Sequence, residues 1–293
     1  MVHIIDLKFQ GFDHVIGCFI VETMEGPVLI ETGPFSTYDN LKKKVESIGF
    51  NIRDIKHVLL THIHFDHAGA AWAFAEQNAT IYVHPAGKPH MIDPEKLIRS
   101  ATRIYGSQMD TLWGLLKPIP ESSLIDMKHG SAVNIGDKSF VAWHTPGHAS
   151  HHIVWQWDNI LFTGDAAGIK IKKGIVHPPC PPPDIDLEAW FASILLMESL
   201  PVNQLFLTHF GIIEDLESHW KSLKANLKDW SEWMKPYALK QSAVEEITPL
   251  FQSYVSEQLR KAHLSEDDIL RYEAANPSWM SVSGLLRYWN KKL

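Results

Sequence analysis

The chain has 293 residues, of which 45% are hydrophobic and 21% charged, so it is long enough to bury a large core with an appended segment. Its formal net charge is −7, from 27 Lys and Arg against 34 Asp and Glu, which disfavours a protein that binds the phosphate backbone of nucleic acids. The first residues are charged at Asp6 and Lys8 and no apolar run approaches a membrane span, so we expect a cytoplasmic protein without membrane or nucleic-acid partners.

The N-terminal part of the sequence predicts strands followed by a helix. Short β-branched runs at residues 2–9, 15–23 and 27–32 are separated by Gly, Asp or Pro, which is typical of strands. Helical spacing of apolar residues then predicts a helix that begins after Ser36 or Thr37. The apolar run "KHVLL", residues 56–60, predicts a short strand that ends next to Thr61.

The remaining elements alternate until the chain becomes entirely helical. Residues from about 86 to 127 predict a helical insertion, after which strands return and a helix follows with Asp184 or Asp186 as its N-cap. Beyond Glu214 the apolar residues keep helical spacing to the end. We therefore predict a domain of sheets and outer helices over 1–215 and a helical C-terminal extension over 216–293.

Metal-ligating side chains follow the ends of four predicted strands. The stretch "THIHFDHAGA", residues 61–70, holds three histidines and one aspartate within six residues. Three later strands also end just before a histidine or an aspartate, and side chains beyond neighbouring strand ends can converge on one rim. The candidate metal ligands are His62, His64, Asp66, His67, His148, Asp165 and His209.

The spacing of these residues favours two metal ions. Residues two apart in an extended segment point the same way, so His62 and His64 can face one ion, which His148 would complete. Asp66 and His67 follow a turn and can face a second ion. The remaining two candidates would complete that second set and bridge the two ions. Three protein ligands per ion leave room for a water, and two nearby ions can hold a hydroxide between them.

The cluster "THIHFDHAGA" resembles the H-x-H-x-D-H signature of the metallo-β-lactamase superfamily. The stretches "TPGHASHH", "FTGDAAG" and "LTHFG" resemble its later ligand motifs, and all four occur in family order over about residues 3–215. The resemblance implies an α+β fold, a four-layer αββα sandwich with the metal site along one edge. It also implies the same ligand sets: His62, His64 and His148 for one ion; Asp66, His67 and His209 for the other; and Asp165 as the bridge.

The resemblance implies a metal-dependent hydrolase of the branch that includes glyoxalase II and lactonases. Its metal-bridging hydroxide would attack the carbonyl of a thioester, lactone or other ester, with Asp66 as the catalytic proton shuttle. The expected cofactors are two divalent ions, zinc first, with iron or manganese as alternatives. The alternative functions are a sulfur dioxygenase of the same fold with one iron, and a metal-dependent phosphodiesterase or nuclease.

Several residues outside the ligand set receive narrower expectations. The resemblance implies roles behind the ligands for Glu31, which replaces the family's usual aspartate, and for His152. His177 could look into the site, whereas His151 is predicted to face solvent or to be structural. The apolar insertion could form a wall for an acyl chain of a small-molecule substrate. The C-terminal extension would either shape the pocket or form a homodimer interface.

Overall fold

The computed structural model describes the whole chain, Met1–Leu293, and contains two six-stranded sheets. The first sheet is formed, in spatial order, by β1 (Val2–Asp6), β2 (Gly17–Thr23), β3 (Gly26–Ile30), β4 (His57–Leu59), β5 (Thr80–Val83) and β6 (Leu124–Asp126). The second is formed, in spatial order, by β12 (Gly211–Ile213), β11 (Gln204–Leu207), β10 (Ile160–Phe162), β9 (Ile153–Trp157), β8 (Lys138–His144) and β7 (Ser131–Ile135). Strands β3 to β6 pair in parallel, as do β10 and β11, and all other pairs are antiparallel.

Side-chain alternation along the strands builds the layers of the fold. Val28 and Ile30 of β3 pack between the two sheets, whereas Leu29 packs on the outer face of the first sheet. In β11, Phe206 lies between the sheets and its neighbours lie on the outer face of the second sheet. Both faces of each sheet are therefore buried, and the predicted sandwich with outer helices is confirmed.

Eleven α-helices surround the sheets or connect their strands, and several begin at side-chain caps. Asp186, Asp215 and Ser265 each accept a hydrogen bond from a backbone N–H in the first turn of the helix that follows. The helices are α1 (Tyr38–Ser47), α2 (Phe65–Ala68), α3 (Ala71–Ala75), α4 (Lys88–Ile92), α5 (Glu95–Tyr105), α6 (Met109–Leu112), α7 (Leu187–Ser199), α8 (Leu216–Leu239), α9 (Val244–Lys261), α10 (Glu266–Ala275) and α11 (Ser278–Asn290). None of them combines the length and the apolar character that a membrane crossing requires.

The predicted insertion, residues 86–127, contains three short helices, α4 to α6, and also one strand. Its last residues form β6, which pairs in parallel with β5 and extends the first sheet to its edge. Only Leu124 of this strand is buried, so an edge strand of three residues gives no alternating pattern that sequence reasoning could detect.

The helical C-terminal extension shares a core with the second sheet. Trp220, Leu227 and Trp230 on one face of α8 pack in the same cluster as Leu205 of β11 and Leu285 of α11. The helical spacing of this segment is thus explained by a face that covers the outer side of the second sheet.

Helix α11 is held against the proline-rich loop that precedes α7. A methyl group at Gly284 would overlap the carbonyl oxygen of Cys180, so the helix approaches the loop backbone as closely as a glycine permits.

We expect Gly284→Ala to destabilise the protein by about 1–3 kcal/mol, because overlap with backbone forces the helix outward. Alanine normally stabilises a helix relative to glycine by about 1 kcal/mol, so the sign of the change is diagnostic. Urea unfolding measures it, with Ser283→Ala, a half-buried neighbour, as the control. A Gly284→Ala protein as stable as the wild type would contradict the close contact.

Candidate metal centre

Four of the seven candidate ligands follow β4 of the first sheet. His62 and His64 lie in the extended segment after this strand, and α2 starts directly after His64 and carries Asp66 and His67 on its first turn. The turn of helix points these two side chains in another direction from the preceding histidines. A single local segment therefore supplies side chains to two adjoining groups.

The other three candidates follow strands of the second sheet, so the site lies where the edges of both sheets meet. Asp165 comes after β10 and His209 after β11, while His148 lies in the loop between β8 and β9. That loop requires Gly147, which has φ of +140° and lies against the backbone of Trp190, where a side chain would collide. The backbone N–H of Ile153 also donates to the carbonyl of Thr61, 2.7 Å away, and joins the two sheets at this edge.

The first group consists of three imidazoles. His64 Nδ1 lies 3.0 Å from His62 Nε2 and 3.1 Å from His148 Nε2, so the three nitrogens enclose one small space. Burial lowers the pKa of His62 and His148, and lowers that of His64 to about 4, which keeps all three imidazoles neutral. Neutral imidazole is the form that ligates a metal ion.

The second group consists of Asp66, His67 and His209, and Asp165 lies between the two groups. Asp165 Oδ1 is 3.3 Å from the Nε2 atoms of both His67 and His209, whereas Oδ2 is 3.2 Å from His148 Nε2. Asp66 Oδ2 lies 3.5 Å from His209 Nε2. The two oxygens of Asp165 thus face different groups, which is the placement expected of a bridging carboxylate.

Hydrogen bonds on the outer side fix the orientation of three of these imidazoles. His148 Nδ1 donates to the Pro179 carbonyl at 2.8 Å, and His209 Nδ1 donates to the Val15 carbonyl at 2.6 Å. His62 Nδ1 donates to the Thr61 hydroxyl at 3.0 Å, because that hydroxyl uses its own proton on Glu31. Each Nδ1 carries a proton, so each neutral imidazole turns its Nε2 lone pair toward the centre. Burial lowers the pKa of His209, but Asp165 and Asp66 outweigh burial and raise it, so His209 Nε2 releases a proton when a cation binds there.

The centre therefore fits a divalent cation rather than a hydrogen-bonded cluster. His64 Nδ1 can donate one proton, yet it faces the lone pairs of two imidazoles. His67 Nε2, Asp165 Oδ1 and His209 Nε2 are buried without any hydrogen-bond partner. Burial lowers the pKa of His67 and His209, but the facing carboxylates outweigh burial and raise both, so this group attracts positive charge. A metal ion at its centre would supply that charge and satisfy these buried atoms together.

Glu31 and His152 support the ligands from behind, as the sequence led us to expect. The fully buried Glu31 carboxylate accepts the Thr61 hydroxyl and lies 3.2 Å from His67 Nδ1, so it backs one histidine of each group. His152 accepts the backbone N–H of Asp165 at 3.2 Å, and its ring stacks on His62 with centroids 4.8 Å apart.

The structure decides between the alternatives left open for two other histidines. His177 does not line the site; its ring packs against Trp230 and Tyr272, with centroids 4.8 and 4.6 Å away. His151 is only 8% exposed rather than facing solvent, its ring lies 5.6 Å from that of His64, and its Nδ1 has no partner. Neither position carries a local pattern that reveals its surroundings, because both depend on how distant loops pack.

A cavity of about 480 Å³ opens over both groups, and we call it the site cavity. His64, Asp66 and Asp165 form part of its wall, while Tyr105 and Trp113 come from the predicted insertion. The start of α11 and the turn before it also contribute, which favours the first of the two roles considered for the C-terminal extension. The volume is typical of sites for small molecules.

Insertion and extension meet at the wall of the site cavity. The Tyr105 hydroxyl donates to the Met280 sulfur at 3.3 Å, and the Tyr105 ring lies edge-on to Trp113 and Trp279, with centroids 5.2 and 5.7 Å away. Met280 does not stand out in the sequence, since its contact with Tyr105 joins positions 175 residues apart.

Known proteins resemble this chain over the residues that form the sandwich. A model of the metallo-beta-lactamase superfamily matches residues 14–209, which include every candidate ligand. The metallo-beta-lactamase fold-containing protein ST1585 of Sulfurisphaera tokodaii is 27% identical over 58% of this chain and 66% of its own length. An N-acyl homoserine lactonase of Bacillus thuringiensis is 25% identical over 53% of this chain and 65% of its own length. The chain thus spans just under two thirds of each relative.

A solved structure extends the likeness to almost the whole chain. The metallo-beta-lactamase family protein TTHA1429 from Thermus thermophilus superposes with a TM-score of 0.72 over 99% of this chain and 93% of its own, at 18% identity. At this identity, the likeness concerns the fold, including the helical insertion and extension.

We predict that His209→Ala lowers the metal content of the purified protein in part and that Asp165→Ala lowers it more, because the two carboxylate oxygens of Asp165 face different groups. Elemental analysis after dialysis against metal-free buffer measures the stoichiometry. His151→Ala is the matched control, since this imidazole lies beside the centre but in neither group. Full metal content in Asp165→Ala would rule out the bridging arrangement.

Proposed function

The chain belongs to the metallo-beta-lactamase superfamily, and we propose that it is a dinuclear metal-dependent hydrolase that cleaves a thioester, lactone or other ester with an apolar acyl part. The observation that carries the proposal is the set of imidazole nitrogens and carboxylate oxygens gathered on both sides of Asp165, open to a cavity large enough for such a substrate. The likeness to an N-acyl homoserine lactonase supports a carbonyl substrate.

The proposed ligands are His62, His64 and His148 for one ion, Asp66, His67 and His209 for the other, and Asp165 as the bridge. Zinc is the first choice of metal, because imidazole and carboxylate suit it, and iron or manganese could use the same donors. Two such ions would activate a water and polarise the substrate carbonyl when bound.

Asp66 is the proposed proton acceptor in the reaction. Burial opposes its ionisation, but His67 and His209 outweigh this effect and lower the pKa of the carboxyl to about 2, so it is a carboxylate. Its Oδ2 faces His209, while Oδ1 has no hydrogen-bond partner and belongs to a residue that lines the site cavity. Oδ1 can therefore take a proton from the attacking water and deliver it to the leaving group.

An apolar wall of the site cavity supports the proposed acyl part of the substrate. Tyr105, Trp113, Leu97 and Met280 contribute to the site cavity, and Phe65 lies beside the ligands within α2. Apolar surface of this kind stabilises a bound alkyl chain by removing it from water.

We expect the metal-loaded protein to hydrolyse octanoyl thioesters or medium-chain lactones and to leave bis-p-nitrophenyl phosphate intact. Chelation should abolish turnover and zinc should restore it, as followed by thiol release or by a pH indicator. A protein that cleaves only the phosphodiester would instead support the nuclease alternative, and oxygen uptake with a persulfide would support the dioxygenase.

Chain-length dependence tests the acyl wall. Each buried methylene contributes about 0.8 kcal/mol, so kcat/KM should rise about twofold to fourfold per methylene up to the length of the cavity. Trp113→Ala should raise KM for an octanoyl substrate more than for an acetyl substrate. Leu115→Ala is the control, because this residue of the same segment is 53% exposed and does not line the cavity. Equal effects on both substrates would argue against the acyl wall.

A further inference from the structure

Apart from the histidines and the metal ions proposed above, the charged groups that face the site cavity are all carboxylates. None of the residues in its wall is Lys or Arg, although the chain has 27 of them. Apart from histidines, the charged groups are Asp66 and Asp165, which belong to the candidate metal centre, and Asp184, which does not. Asp184 therefore needs a separate explanation.

Asp184 is a half-buried carboxylate that forms no ion pair. It follows three consecutive prolines of the loop before α7, and its Oδ2 accepts the Ser150 hydroxyl at 2.7 Å. Lys291 reaches the same loop, but its ammonium donates to the Pro183 carbonyl at 3.3 Å instead. The negative charge is thus left without a cation from the protein.

The charge of Asp184 is secured by its neighbours. Burial raises the pKa of this carboxyl, but the Ser150 hydroxyl and His151 outweigh burial and lower it, so the group is ionised at neutral pH. Ser150 and His151 also line the site cavity and follow the candidate ligand His148 closely in sequence. The carboxylate thus lies on the side of the cavity adjoining the three-histidine group.

We propose that Asp184 is a specificity-determining residue that selects substrates with a neutral or positively charged group beside the reacting carbonyl and disfavours substrates with an anionic group there. This inference rests on the proposed hydrolase function. The Oδ1 atom, which no cation neutralises, can accept a hydrogen bond from an N–H or pair with an ammonium group. A carboxylate or phosphate would meet a like charge and find no Lys or Arg in the wall to offset it.

Asp184 also ties two loops together through Ser150, and the test must separate that role from charge selection. Asp184→Asn keeps an oxygen that can accept the Ser150 hydroxyl but removes the charge. Asp186→Asn is the matched control, because Asp186 lies two residues away, is exposed outside the cavity, and caps α7 as asparagine also can.

The experiment compares three octanoyl thioesters that differ only in the thiol: thiocholine, N-acetylcysteamine and 3-mercaptopropionate, which are cationic, neutral and anionic. We expect the wild-type kcat/KM to be highest for the cationic ester and lowest for the anionic one. Asp184→Asn should lower the cation-to-anion ratio about tenfold, as expected for the loss of one charge interaction in a half-buried site. Asp186→Asn should leave it unchanged. An unchanged ratio in Asp184→Asn, or an equal loss in both variants, would overturn the proposal.

A binding measurement keeps this test independent of catalysis. If the wild type hydrolyses none of the esters, the proposal of thioester hydrolysis is wrong, but charge selection can still be measured by binding. Isothermal titration calorimetry on metal-loaded protein would compare octyltrimethylammonium, octanol and octanesulfonate. The wild type should bind the ammonium compound more tightly than the sulfonate. If the ratio of their two dissociation constants falls about tenfold in Asp184→Asn, the result supports the role of Asp184. Equal shrinkage in Asp186→Asn, or none in either variant, overturns it.

Discussion

The candidate metal centre depends on imidazoles whose Nδ1 atoms are hydrogen-bonded to the surrounding protein, because these bonds direct the Nε2 atoms into the site. His62 and His148 each donate Nδ1–H to a fixed acceptor, so their Nε2 atoms converge with His64 Nδ1 in one buried space. His209 also donates Nδ1–H to a fixed acceptor and turns its Nε2 toward Asp165 in the neighbouring group. Such an arrangement is unfavourable unless a cation occupies the centre. Two other features agree with a cation at this position. His62 and His148 are neutral, and Asp165 places a carboxylate oxygen beside His148.

The acceptors behind the ligands come from separate parts of the chain. Val15 precedes β2 of the first sheet, Pro179 lies in the loop before α7, and Glu31 follows β3. The ligands themselves follow strands of both sheets, so an ion at the centre would hold the two halves of the sandwich together. An ion that binds only the folded chain adds stability in proportion to the logarithm of its concentration relative to its dissociation constant.

Much of the fold and of the candidate metal centre was predictable from the sequence, because both depend on patterns within short segments. A short apolar run predicts a strand, and a histidine or aspartate immediately after it can be recognised without knowledge of the rest of the chain. The gathering of the candidate ligands was foreseen in this way, and the sandwich followed from the resemblance that the same motifs carry. Strand β6 was not foreseen, because three edge residues carry no period. His151 and Asp184 were also missed as wall residues, since their surroundings come from packing between distant segments.

The contact between Tyr105 and Met280 belongs to a part of the site cavity that is distinct from the candidate ligands. Residues that would bind the metal and residues that would select the substrate therefore come from different segments. The proposed ligands stand on strand ends that the cores hold in place, whereas the wall above them is assembled from an insertion and a C-terminal helix that add to the sandwich. Neither segment supplies a candidate ligand, so substitutions of its cavity-lining side chains change the wall without replacing a ligand. Natural or engineered substitutions in one wall can therefore change which substrates bind while the candidate ligands stay the same.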